Sequence, residues 1–259
     1  MTALLTAEFR KALGLRYWWI LGIAPLVVGV FCGALTLPVM RQVEDILGPG
    51  FAEAAAAAVG ISFALALVFL FAALFGVVNS GGEFQHRTVI TTFLTTRGRD
   101  LVIASKYTTA ALFGLLYCVI AEVVSALTIL MFGGGFSDSD LGSIASVLGS
   151  GLLCAVLWAL IGSGLGLLTG SMVGSVLAVC AWVPFGELTV SLVLHGMGLG
   201  GVAQFLPGQI TWYTLFGAVD LSGEAEMPVA WPLAPLVLIF WTALICGLGW
   251  WRTRSRDLT

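Results

Sequence analysis

The sequence predicts an all-α polytopic membrane protein with six transmembrane helices, and three observations carry that prediction. Of its 259 residues 59% are hydrophobic and only 10% charged, with a mean hydropathy of +1.04, whereas soluble domains hold about 45–50% apolar residues even with glycine counted. Six apolar runs, at 17–39, 59–78, 108–132, 144–168, 172–194 and 231–251, have the roughly 20 residues a helix needs to cross a bilayer. None shows the alternating segments of about ten residues, separated by turns, that barrel strands require. These runs occupy more than half of the chain, so 1–259 reads as one transmembrane domain without room for a separate soluble catalytic domain.

The first run follows Arg10, Lys11 and Arg16 as a signal peptide would. It is too long for one, no A-x-A site closes it and five more runs follow, so it is read as a span. Cys32 lacks the small preceding residue of a lipidation site. The five cysteines all lie within apolar runs without a C-x-x-C pair, and read as small buried hydrophobes rather than metal or redox groups. Before the first span, "TALLTAEFRKALGLR" puts Leu5, Phe9, Ala12 and Leu13 on one helical face and Thr2, Thr6 and Arg10 on another. The pattern predicts a short amphipathic helix on the inner membrane surface.

Charge placement predicts orientation, because Lys and Arg concentrate in cytoplasmic loops. With the amino terminus inside, ten of the eleven basic residues fall on the cytoplasmic side and only Arg41 falls outside. Glu44, Asp45, Glu53, Asp138, Asp140, Asp220, Glu224 and Glu226 then lie outside, and both termini lie inside.

Where the fourth and fifth spans meet, Gly162, Gly166, Gly170 and Gly174 recur every four residues. That spacing lets helix backbones approach closely in lipid. The stretch from His195 to Pro228 is too apolar for an open loop and too broken by glycine and proline for a span, which predicts re-entrant or interfacial half-helices, with Trp212 and Tyr213 suited to the headgroup level. Gly196, Gly198 and Gly201 match G-x-G-x-x-G by chance, since no strand precedes them.

The charged segment 79–106, "NSGGEFQHRTVITTFLTTRGRDLVIASK", interrupts this apolar chain between spans two and three. Within it Val89, Ile90, Phe93 and Leu94 form one apolar stripe, flanked by Thr88, Thr91, Thr92 and Thr95 and bracketed by Glu83, Arg87, Arg97, Arg99, Asp100 and Lys106. Two destinations suit such a tethered amphipathic helix: the membrane surface or a groove on a partner protein.

Taken together, these features resemble the permease subunit of an ABC-2 type exporter. That family has six spans, an amino-terminal connecting helix and a coupling helix between spans two and three. Its second span runs into a glutamate, then a short Gly-Thr segment, an apolar helix, an arginine-containing stretch and a lysine opening span three. Here Glu83, Arg87-Thr88, Val89 to Leu94, Arg97 with Arg99, and Lys106 stand in those places, with Arg87 where glycine is common. "AEFRKALGLRYWW" is similar to the connecting helix, with Glu8, Lys11 and Arg16 at matching places.

The resemblance implies a coupling role for Glu83, Arg87, Val89, Ile90, Phe93, Leu94 and Arg97 against two cytosolic ATPase subunits. It also implies pairing with a second permease copy or a related permease. Since the chain has no G-x-x-x-x-G-K-[ST], ATP and magnesium are expected in the partner ATPase and no cofactor in this chain. The family's setting is the plasma (inner) membrane of a bacterium, and nothing in the sequence points to nucleic acid.

Two carboxylates fall inside spans: Glu122 in the third, and Glu187 in the fifth, three residues after Pro184. A charge at the bilayer centre costs about 2.5–3.5 kcal/mol on insertion scales, so each faces protein or water and is a candidate for the substrate path or its gating. The alternative for each is a protonated carboxyl hydrogen-bonded to a neighbouring helix. His195 reads as interfacial. No H-E-x-x-H and no serine with a positioned histidine suggests a hydrolase, so the chain is expected to be a non-enzymatic permease. The rival transport reading is a proton-coupled secondary transporter using Glu122 or Glu187, although no internal repeat marks it. A membrane anchor would need neither the carboxylates nor the amphipathic loop helix.

Overall fold

A computed structural model of the chain describes residues 2–47, 51–86, 88–96, 98–132, 141–217 and 228–255. It is all helical: α1 (Thr2–Gly14), α2 (Tyr17–Leu47), α3 (Phe51–Gln85), α4 (Val89–Thr95), α5 (Arg99–Phe132), α6 (Leu141–Thr169), α7 (Met172–Ala181), α8 (Glu187–Gly196), α9 (Gly200–Ala203), α10 (Pro207–Phe216) and α11 (Leu233–Ser255). A π-helical turn, Trp182–Gly186, joins α7 to α8. Six helical segments are long and apolar enough to cross a bilayer, and no strand occurs among the described residues. The protein is an all-α polytopic membrane protein, as its composition predicts.

Helices α3, α5 and α6 form the centre. The apolar window of the second span is 67% buried inside the chain, against 17% for the first and 11% for the fifth. With no water to drive apolar surfaces together, close backbone packing holds such helices. A Cβ at Gly162 would overlap the carbonyl of Ala73 on α3, and one at Gly166 would stand 3.0 Å from the Val77 carbonyl. Half of the predicted glycine stripe therefore packs against span two. The other half does different work: Gly170, with φ +66°, makes the turn between α6 and α7, a backbone region that costs glycine nothing.

The predicted segment 79–106 is shorter as a loop than expected. Span two continues as helix to Gln85 and span three begins at Arg99, leaving residues 86–98 for the link and α4. Glu83 and Lys106 thus lie on helices, where they pair with each other, and that pairing removes the cost that would have ended the helices earlier. The spans otherwise fall where predicted, although the fifth is interrupted. Pro184 has no N–H to donate, and the chain widens locally so that the Glu187 N–H reaches the Trp182 carbonyl five residues back.

The expected half-helices before span six are α9 and α10, with Ile210, Thr211, Thr214 and Leu215 of α10 buried against the bundle. Trp212 and Tyr213 are half-buried there. The outer acidic positions 138, 140, 220, 224 and 226, with Arg256, lie outside the described residues, as do the side chains at 41, 44, 45 and 53.

Two single replacements on α6 test the packing, since alanine is the better helix former at either site. Gly149 faces open space, so Gly149→Ala should leave the unfolding midpoint in detergent unchanged or slightly raised, whereas Gly162→Ala should lower it clearly. Equal midpoints for the two variants would remove Gly162 as a packing contact.

Candidate functional site

One end of the bundle gathers α1, the 86–98 link, the start of α5 and the end of α11. The amphipathic face of α1 settles there on protein rather than on lipid alone. Ala12 is fully buried, and Phe9 lies 5.3 Å, centroid to centroid, from Phe113 in a cluster with Phe75 and Tyr117. Leu13, expected on the same face, remains exposed.

The polar face of α1 completes an ion cluster. Lys106 is 1% exposed, and its Nζ lies 3.2 Å from Glu8 Oε2 and 2.9 Å from Glu83 Oε1. Lys11 also pairs with Glu83 Oε1. Two carboxylates and two ammonium groups from α1, α3 and α5 therefore balance one another within a buried patch. Lys11 is the exposed edge of the group; burial lowers its pKa from the ordinary lysine value, Lys106 adds to that, and Glu8 opposes both. A buried cation without its counter-charge is expensive, so the four residues stand or fall together.

The link emerges directly from this cluster. The Thr88 N–H donates to the Glu83 carbonyl at 3.0 Å, and Val89, 4% exposed, buries the first residue of α4. Ile90 and Phe93 are half-buried. The Arg99 guanidinium stands 5.7 Å from the Phe93 ring centroid and donates to the Arg254 carbonyl on α11 at 3.0 Å. Asp100 accepts from Trp250 Nε1 at 2.8 Å. Thr92 and Thr96 return their hydroxyls to the backbone four residues back. Arg87, Arg97 and the side chain of Leu94 lie outside the described residues.

Of the residues predicted for coupling, Val89, Ile90 and Phe93 share one short helix. Glu83 sits behind them, turned inward to Lys106 and Lys11 rather than outward. Its place is positioning: it fixes the loop to α1 and α5. Glu8, Lys11 and Lys106 complete the cluster, although the sequence reading marked them only as matching places. The available signal was a lone lysine at the mouth of an apolar run, which a bilayer tolerates only beside a counter-charge.

The two intramembrane carboxylates face different helices. Glu122 is buried between α5, α3 and α6, where it accepts from Cys118 Sγ at 3.3 Å. A Cβ at Gly151 would come within 3.0 Å of its Oε1. Glu187 is 7% exposed and caps α10: the Gly208 N–H donates to Oε2 at 2.8 Å and the Gln209 N–H to Oε1 at 2.6 Å. Both oxygens accept, the arrangement an ionised carboxylate prefers, at the positive end of a helix. Pro207 opens that helix where its missing N–H costs nothing. A Cβ at Gly208 would lie 2.5 Å from Glu187 Oε2, so any larger residue there would push the carboxylate aside.

The π-helical turn also sets this geometry, since one added residue rotates everything after it by about 100°. Trp158 Nε1 fastens the same helix through Thr211 Oγ1 at 2.9 Å. Sequence reasoning found Glu187 and missed its partners, although the "LPGQ" that starts α10 is a helix-opening signal. Among the described residues no group of three or more His, Cys, Asp or Glu side chains could hold a metal ion.

Residues 27–259 match the model of a family described as a protein of unknown function, DUF2705. No curated protein matches the chain.

Two outcomes follow from this geometry. Lys106→Met leaves Glu8 without its cation and Glu83 with Lys11 alone; loss of one partner of a buried pair costs about 3–5 kcal/mol, so α1 should detach and trypsin should cut faster at Arg10, Lys11 and Arg16. The exchanged pair Glu8→Lys with Lys106→Glu should restore part of the protection. In Glu187→Ala two backbone N–H groups lose their acceptor, and hydrogen exchange at Gly208 and Gln209 should rise by about tenfold or more. Exchange that stays as slow as in the unaltered protein would rule out the clamp.

Proposed function

The chain belongs to the DUF2705 family, and we propose that it serves as the transmembrane subunit of an ATP-driven exporter of ABC-2 type, paired with a separate ATPase. The observation that carries this reading is α4 itself. A seven-residue helix hangs between two spans, rooted at Val89 and braced by a charge cluster that ties α1, α3 and α5 together. Force applied to such a peg reaches spans two and three directly, because little at its root can yield. An amphipathic helix meant only to rest on lipid needs no such bracing.

In this reading the end that carries α1, α4 and the close of α11 faces the cytoplasm of a bacterial inner membrane, in keeping with its excess of Lys and Arg. Phe93 and Ile90 enter a groove of the ATPase, Arg87 and Arg97 set their register, and Glu83 holds the base. Magnesium and ATP belong to the partner, which supplies the phosphate chemistry. A second copy or a related permease completes the path, and the barely buried first and fifth spans leave surface for it. Glu187 acts on gating by fixing α10, and the cargo is an amphipathic or hydrophobic molecule such as a drug, peptide antibiotic or lipid.

One observation favours a second reading. Glu122 is buried with a thiol donor and no pairing cation among the described residues, which suits a proton relay in a secondary transporter. Reconstitution separates the two. Under the exporter reading, transport into proteoliposomes requires ATP and the second subunit, and Phe93→Asp abolishes it while leaving membrane insertion intact. Transport by this chain alone, driven by a pH gradient and lost in Glu122→Gln, would establish the alternative.

A further inference from the structure

We propose that the cleft between α3, α6, α8 and α10 is a binding site for a lipophilic organic cation, with Glu187 as its counter-charge. The cleft has a volume of about 380 Å³, and its walls include Phe69, Leu70, Trp158, Glu187, Gln209 and Trp212. Leu67 and Leu188, 49% and 61% exposed, also line it, so its rim is apolar and open at the outer surface of the bundle. A molecule dissolved in the membrane can enter there without crossing a polar barrier.

Charge decides which molecule. The two backbone N–H groups on Glu187 hold its oxygens still, and a helix end supplies only about half a positive charge. No Lys, Arg or His pairs with it among the described residues. Two other polar groups of the wall are already engaged: Trp158 Nε1 donates to Thr211 Oγ1, and that hydroxyl donates to the Pro207 carbonyl. What remains is a carboxyl group, both oxygens held by backbone donors, in a weakly screening setting beside aromatic side chains whose π faces also attract cations. A neighbouring cavity of about 260 Å³ shares Trp158 and Val183 but has no charged wall. Neutral apolar molecules have that space to fill; a cation gains only beside Glu187.

This proposal narrows the cargo class of the exporter reading and rests on it only for the step of transport. Its test therefore needs no ATPase. Binding of tetraphenylphosphonium to the purified full chain in neutral detergent is measured by equilibrium dialysis, and tetraphenylborate, of the same shape and opposite charge, is measured separately. The cation should bind saturably at one site, with the anion weaker by at least about tenfold. Gln209→Lys adds a positive charge to the wall and keeps both backbone donors. It should weaken the cation by a similar factor while the Gly208 and Gln209 amides exchange as slowly as before. Equal binding of the two ions, or cation binding undiminished in Gln209→Lys with those amides still protected, would overturn the site. If the cation binds as expected but is not moved by ATP with the partner present, the exporter reading fails and the site stands.

Discussion

Lys106 is withdrawn from solvent almost completely, and it can stay charged there only because carboxylates from two other helices reach it. That constraint organises the end of the bundle where the link emerges. Glu8 can reach Lys106 only if α1 folds back against α5, which in turn lets Phe9 join the aromatic cluster around Phe113. Glu83 can reach it only if span two stays helical past its last apolar turn. The point from which α4 departs is thereby settled by electrostatics rather than by the few residues of the link. Apolar helices meeting in lipid slide and rotate at small cost, and a buried ion cluster is the kind of contact that forbids it.

The opposite need, to bend a span without exposing its backbone, is met around Glu187. Pro184 removes a donor, the turn widens, and the carboxylate that follows accepts from two of the otherwise unpaired N–H groups of α10. Each irregularity is satisfied by the next, as a bilayer demands of any backbone that leaves the regular helix. The contrast with Glu122 is physical. One carboxylate is tied to the main chain of a half-helix, while the other meets a single thiol inside regular helices.

Much of the fold was legible in the sequence because runs of about twenty apolar residues have few alternatives in a membrane. The amphipathic stripe of α4, the shape of α1 and the half-helices before span six were legible for the same reason: their polar and apolar residues alternate at helical spacing or stop at glycine and proline. Helix ends were not, because an isolated Glu83 or Lys106 reads as a loop residue until its partner is known. Glu83, expected among the coupling residues, turns inward to that partner instead. Pro184 announced a kink but not which side chain the widened turn would present. The glycine stripe was half right, since spacing alone cannot tell Gly162, pressed against Ala73, from Gly170, which turns the chain.

In the proposed exporter α4 is a short amphipathic peg on a rigid base, and what meets α4 decides between that reading and its rivals. A photo-crosslinking amino acid in place of Ile90, activated in the native membranes before any detergent is added, identifies that contact directly. The exporter reading predicts a crosslink to a separate polypeptide carrying the phosphate-binding loop of an ATPase. Crosslinks confined to lipid, or to the chain itself, would contradict it.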